Sequence, residues 1–353
     1  MPDAPSRPDR RRALQFLASL PALAVAGEAT ATPGPFPQEV SILVAGPDQG
    51  ELNAWSRLIT PLLARFLPQG APVRVVRAGG ADGVTGANQF DTRVVPDGGT
   101  VLLVPGTAAL AWLAGDPRAR FDAGHWVPVM AGITPAIVAG RPGFGWPGQG
   151  ARVAAAGPSG PEMSALLALD LIGANPVPVF GLMEPATVRD AFARREVDLV
   201  FVSGRNVPDR LAALAELGAK PLFSLRPPDP DGRPTRDALF SGLPDLAELH
   251  AGARRNGPEG RLYDAWVAAA SAARLDFGLV LPQLTPAARV ALWRRAGAQA
   301  IVAPELQSVA AAAAVRPLAG QGAATSTAAV AADPDAILEL RRWLGARFNW
   351  HPV

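Results

Sequence analysis

The stretch from Val73 to Pro105, VRVVRAGGADGVTGANQFDTRVVPDGGTVLLVP, constrains the fold more than any other part of the chain. Val73, Val75 and Val76 form a β-branched apolar run that predicts a strand. Gly79, Gly80, Gly83 and Gly86 then crowd a turn and the start of a helix. A Pro96-Asp97-Gly98-Gly99 turn ends that helix, and Val101, Leu102, Leu103 and Val104 follow without a polar interruption. Such a run predicts a strand buried on both faces, as in a parallel sheet covered by helices. One strand-helix-strand unit of this kind cannot stand alone, so the rest of the chain must supply further layers.

It does so twice. Val40–Ala45 predicts a first strand, and Glu51–Phe66 an amphipathic helix with Trp55, Leu58, Ile59, Leu62, Leu63 and Phe66 on one face. Thr107–Leu113 predicts a short helix, and Val127–Val138 two strands that cross between domains. From Val153 a second alternation begins: strands at 153–156, 177–180, 197–202 and 221–225, separated by helices at 162–172, 185–195 and 207–217. This pattern predicts a second mostly parallel α/β sheet. Residues 226–236 predict an exposed Pro/Asp/Gly loop, 263–273 a helix, and 277–281 a strand that returns to the first domain. Three helices are predicted after it, at 286–296, 304–315 and 334–348, with Thr285-Pro286 and Asp333-Pro334 as start signals.

Composition matters chiefly for what it excludes. Hydrophobic residues make up 49% of 353, enough for two cores and too many for a disordered chain. The pI near 9.8 suggests a nucleic-acid partner, but the formal charge is only +2. Lys220 is the sole lysine, Tyr263 the sole tyrosine, and cysteine is absent, so little titrates between histidine and arginine. A small arginine excess therefore raises the pI without any basic-aromatic face. Absence of cysteine excludes disulfides, thiol nucleophiles and thiolate zinc sites. At the amino end, Arg10-Arg11-Arg12 precedes an apolar run to Ala26, with small-residue sites at Ala24-Val25-Ala26 and Ala29-Thr30-Ala31. Residues 1–31 thus read as a cleaved export signal of twin-arginine type, the run being too short to span a bilayer.

Catalytic signatures are weak. The glycine spacing Gly80-x-x-Gly83-x-x-Gly86 fits neither a dinucleotide fingerprint nor a phosphate-binding loop with Lys-Ser/Thr. Those glycines are better explained by a tight turn and close helix-sheet packing. His125, His250 and His351 stand apart, without metal-ligand spacing, and no G-x-S-x-G elbow occurs. Asp97 reads as a turn residue, and Tyr263 and Trp266 as packing. Two loops remain: Gly46–Gly50 and Gly157–Gly160 each precede a helix. Facing one another across a cleft, their amides would hold a carboxylate without any lysine; the alternative is two ordinary strand-helix turns.

The order of elements resembles the substrate-binding proteins of tripartite tricarboxylate transporters, the Bug family of periplasmic solute receptors. The most specific residues are Gly80-Ala81-Asp82-Gly83-Val84-Thr85-Gly86-Ala87, then Pro96-Asp97-Gly98-Gly99-Thr100, where Gly99 replaces the family's usual tyrosine. In the first loop Gly50 and Arg57 match the family pattern, while Gln49 and Asn53 depart from it. Gly157-Pro158-Ser159-Gly160, Glu196-Val197-Asp198, Ser241–Leu249 and Pro282–Pro286 follow more loosely. The likeness covers about 40–348.

This resemblance implies a two-domain α/β, periplasmic-binding-protein-like (type II) fold, each domain a mostly parallel sheet flanked by helices. The expected first domain is 36–134 plus 276–353, and the second 135–275. It also implies a small organic acid held between the domains, no catalysis, no metal and no cofactor. The expected ligand-binding residues are Gln49, Gly50, Glu51, Asn53, Thr107, Ser159, Gly160, Ser203 and Arg205. Arg205 is the charged candidate for a second carboxylate. Asn53, in place of an acid, favours a plain organic acid over an amino acid. The expected protein is a periplasmic monomer that delivers its ligand to membrane permease subunits, or presents it to a sensor protein. An exported hydrolase and a structural scaffold are the alternative classes.

Overall fold

The computed structural model describes residues 36–37, 39–68, 72–142, 150–227, 229, 235–253, 259–328 and 330–351. The expected export signal, 1–31, lies outside them.

The chain begins with β1 (Val40–Val44), α1 (Glu51–Phe66), β2 (Val73–Arg77), α2 (Val84–Arg93), β3 (Thr100–Val104) and α3 (Gly106–Ala114). β4 (Val127–Ile133) and β5 (Ala136–Gly140) carry it from one sheet to the next. The second alternation comprises β6 (Ala151–Ala154), α4 (Met163–Leu171), β7 (Pro176–Val179), α5 (Pro185–Ala193), β8 (Leu199–Ser203), α6 (Val207–Ala215) and β9 (Lys220–Ser224). α7 (Leu246–Ala253), α8 (Arg261–Arg274) and β10 (Leu275–Leu281) lead back. The chain then forms α9 (Ala287–Ile301), α10 (Pro304–Ala312), β11 (Arg316–Ala319), α11 (Gly320–Ala328) and α12 (Pro334–Phe348). β11 and α11 have no counterpart in the sequence expectation. β11 is a four-residue edge strand containing Pro317, too short and too interrupted to show a period.

The first sheet has the order β11-β4-β10-β3-β1-β2, the second β7-β6-β8-β5-β9. β1 pairs in parallel with β2 and β3, and β6 with β7 and β8. The strands that enter from a crossing run the other way: β10 is antiparallel to β3 and β4, and β5 to β8 and β9. The two-sheet α/β expectation stands, with both sheets mixed. This reversal places the start of β10 beside the end of β3, and Ala136 opposite Ser203 at the end of β8. Both crossings therefore lie at the edge where the parallel strands end.

β3 is buried on both faces. Val101 and Leu103 enter a core with Trp55, Ile59 and Leu63 of α1 and Trp293 of α9. Leu102 and Val104 enter another with Ala108, Ala109 and Leu110 of α3. The latter core continues through Trp266 and the alanines of α8, through Leu166 and Leu169 of α4, to Val153 and Phe201 of the second sheet. One apolar cluster thus joins the two sheets. α12 and the residues just after it fasten it: Trp343 Nε1 donates to Asp170 Oδ2 at 2.8 Å, Arg347 Nη2 to Asp170 Oδ1 at 2.5 Å, and Trp350 Nε1, past the helix end, to the Ala114 carbonyl at 2.9 Å.

The motif glycines pack as their spacing suggests. A β-carbon at Gly86 would lie 2.5 Å from Ala45 Cβ, so α2 can rest on the end of β1 only without a side chain there. Gly106 is tighter: a β-carbon would lie 1.9 Å from the Ala272 carbonyl oxygen and 2.7 Å from that of Leu275. Backbone cannot yield as a flexible side chain can. Gly106→Ala should therefore destabilise the protein by about 3 kcal/mol. Gly157→Ala, where nothing lies within 4 Å, should be near neutral, both read from urea midpoints.

Candidate functional site

A cavity of about 330 Å³ opens where the parallel strands of both sheets end. Gly46, Pro47, Gly50 and Glu51 line it from the β1–α1 loop, and Pro105, Gly106 and Thr107 from the β3–α3 junction. Pro161, Ser203 and Gly204 face them from the second sheet. Ala272, Ala273, Leu275 and Asp276, at the α8–β10 crossing, also line it. Strand ends of this kind are where α/β sheets place ligands.

α1 starts after Gly50 and α3 after Pro105, and neither helix has a side-chain cap. The first-turn amides of a helix have no partner within it, so both junctions favour negative charge. Thr107 Oγ1 donates to the Asp82 carbonyl at 3.0 Å, which fixes the rotamer and leaves the oxygen able to accept. The Ser203 carbonyl accepts from Arg210 Nη1 at 2.5 Å. Burial pushes the Arg210 guanidinium down, against the pull of Glu51 and Glu162. Glu162, beside Pro161, is pushed up by its own burial, and its carboxyl accepts from the Ala156 amide at 3.3 Å.

The cavity's acidic residues are Glu51 and Asp276. Asp276 Oδ2 accepts from Trp55 Nε1 at 2.6 Å, and the Trp55 ring tilts against Phe277 at 4.8 Å between centroids. Desolvation is the largest influence on Asp276 and pushes it up to about 6; the Trp55 hydrogen bond and Arg205 oppose this, while Glu51 adds to it.

Of the sequence-predicted residues, the structure brings Gly50, Glu51, Thr107 and Ser203 together around this cavity. The others lie elsewhere. Gln49 is exposed beside it, and Ser159 and Gly160 are half-buried on the loop leading to Pro161. Asn53 is buried: its amide donates to the Asp48 carbonyl, and its oxygen accepts from Ser56 Oγ at 3.3 Å and Arg77 Nε at 3.4 Å. It braces the β1–α1 loop because the first turn of α1 directs it inward against β2. Arg205 lies over Trp55, 5.2 Å from the ring centroid, and lines a neighbouring cavity with Arg57 and Val309. Sequence reasoning missed Asp276, although a single acid in the run Leu275-Asp276-Phe277-Gly278-Leu279-Val280-Leu281 was a usable signal.

Among the described residues no group of three or more His, Asp and Glu is arranged for a metal ion, and no helix is long and apolar enough to cross a membrane.

No family model matches the chain, and no curated protein matches it by sequence. Solved structures do. A TctC solute-binding protein from Polaromonas, without ligand, superposes with a TM-score of 0.61 at 16% identity over 88% of this chain and 98% of that one. MatC from Rhodopseudomonas palustris, with bound malate, gives 0.51 at 19% over 88% and 98%. The periplasmic binding protein BugD gives 0.51 at 16% over 88% and 97%. The chain has the fold of these periplasmic solute-binding proteins.

Asp276 makes stability depend on pH. Its folded pKa is raised, so the native state holds the proton more tightly than the unfolded one. The stability this contributes is complete below the ordinary carboxyl value and is lost as pH rises through about 6. Asp276→Asn should flatten that slope and raise stability at pH 7.5 by on the order of 2 kcal/mol. Urea denaturation at pH 4.5, 6 and 7.5 measures both.

Proposed function

We propose that this protein is an extracytoplasmic receptor of the Bug type that binds a small organic carboxylate and hands it to a tripartite tricarboxylate-type membrane transporter. The observation that carries this reading is the convergence of two uncapped helix starts, α1 and α3, with Ser203 of the facing sheet on one cavity. The amides of Glu51 and Thr107 would hold the carboxylate, with the hydroxyl of Ser203 beside it. Ser159 and Gly160 would reach the ligand when the domains, 36–134 plus 276–353 and 135–275, close. Such closure would be what the membrane partner recognises. Residues 1–31 would direct export to the periplasm, where the mature monomer would bind without turning its ligand over.

The neighbours support the ligand class: MatC was solved with malate, and another R. palustris protein of this fold, at 16% identity and a TM-score of 0.50, with adipate. The direct test is a thermal-shift screen of mono-, di- and tricarboxylates and amino acids. A ligand at a hundred times its dissociation constant should stabilise by about 2.7 kcal/mol. A screen in which no carboxylate shifts the melting temperature overturns the proposal.

Glu51 and Asp276 favour a second reading, in which an amino group of the ligand faces them. The two readings predict opposite pH dependence. A plain carboxylate near Asp276 raises its proton affinity further, so binding should weaken about tenfold as pH rises from 5.5 to 7.5. An amino acid should bind more tightly over the same interval, as Asp276 ionises. Calorimetry at the two pH values separates them, and Asp276→Asn should abolish either trend.

A further inference from the structure

A second cavity, about 400 Å³ in volume, lies on the other side of the crossings. It is built as the counterpart of the first. Sheet 2 contributes Arg226, just after β9, where the proposed ligand cavity has Ser203 at the end of β8. Sheet 1 contributes Arg316, the first residue of β11, which pairs with Ile133 at the end of β4. Arg274, the last residue of α8, lies at the crossing itself. Ser271, Gln321 and Thr325 add polar side chains to the same wall.

Three guanidinium groups lining one cavity are costly unless negative charge meets them. Arg274 is buried and already held: Nε donates to the Thr134 carbonyl at 2.9 Å, and Nη2 to Asp237 Oδ2 at 3.0 Å. Arg226 Nη1 donates to the Arg236 carbonyl at 3.0 Å, a neutral partner. Asp229 is the one carboxylate among the described lining residues. The described lining residues therefore carry three positive charges against one negative, or against two when Asp237 behind Arg274 is included. Burial and then the neighbouring Arg226 push Arg316 down, and Arg274 falls to about 10 chiefly through burial, with Asp237 opposing and Arg226 and Arg316 adding to the fall.

We propose that this cavity is a second ligand site, selective for a multiply charged oxyanion bound by Arg226 and Arg316 over the fixed charge of Arg274. Planar guanidinium forks suit phosphate and carboxylate equally, and Gln321, Ser271 and Thr325 supply the remaining donors. The site is distinct from the proposed carboxylate cavity and shares no lining residue with it. It is connected to it, however. Thr134 donates its amide to the Arg274 carbonyl at 2.9 Å, and its Oγ1 accepts from the amide of Gly204, which lines the first cavity, at 3.2 Å. An anion that spans Arg226 and Arg316 ties the two sheets together on the side away from the first cavity.

The test is calorimetric titration of the purified protein with inorganic phosphate and, separately, citrate, in a buffer free of other polyvalent anions. The expected result is saturable one-to-one binding of at least one, weakened about tenfold or more in Arg316→Gln and in Arg226→Gln. Both arginines reach solvent, so these variants should fold, with a melting temperature measured without anion no lower than that of the wild type. Phosphate alone would identify a phosphate-type site, and citrate alone a polycarboxylate site. Citrate binding that survives both substitutions but is lost in Ser203→Trp belongs to the first cavity and overturns the proposal, as does absence of saturable binding by either anion. The first of these results would support the carboxylate reading of the first cavity, and the second leaves that reading to the wider carboxylate screen, since neither Arg226 nor Arg316 lines the first cavity.

Discussion

The first residue of α3 has no side chain because backbone already occupies the space. The carbonyls of Ala272 and Leu275 close on Gly106 from the point where α8 becomes β10. That contact fixes three things together. It sets α3 against the buried alanine face of α8, on which α4 of the other sheet also packs. It brings Asp276 to the end of β3, where the proposed ligand cavity lies. It also leaves the start of α3 open toward that cavity, with no side chain between its amides and a ligand. Small residues thus do more than fill volume here: they let the start of α3 lie directly against the backbone where α8 becomes β10.

The crossing at Thr134 and Arg274 is the polar complement of that contact. Thr134 and Arg274 bond each other through both backbone and side chain, and Arg274 anchors on Asp237 in the loop after β9. A buried ion pair of this kind gains little net stability, since desolvation offsets most of the attraction. It does fix which strand lies beside which. The two cavities flank this clamp, one lined by carboxyl groups and helix starts, the other by guanidinium groups.

Much of the fold was legible because the evidence for it is local. The run Val101–Val104 announced a strand buried twice, and Val101 and Leu103 indeed enter one core while Leu102 and Val104 enter the other. Gly86 was legible as a packing residue from its place at a helix start. β11 and α11 were not, since Arg316–Ala319 is held by its pairing with β4 and carries no periodicity of its own. The site was legible only in part. Gly50 and Thr107 could be placed from the strand-helix order, whereas the inward turn of Asn53 depends on Asp48, Ser56 and Arg77 meeting it in space. The charge that most affects the cavity, Asp276, comes from a strand more than two hundred residues from Gly50, and its neighbourhood with Trp55 exists only after folding.

The strand order also sets a timetable. The second sheet is drawn from one contiguous stretch, β5 to β9, and can pair as soon as it is made. The first cannot: β10 sits between β3 and β4, which remain unjoined until residues 275–281 have been synthesised. From the synthesis of Val104 to that of β10, β3 therefore carries an open edge on a strand that is buried on both faces in the finished fold. An edge of that kind invites pairing with the wrong partner. Between the emergence of Val104 and that of Leu281 a nascent chain of this sequence would gain most from a chaperone, and the pairing of β10 with β3 and β4 closes that interval.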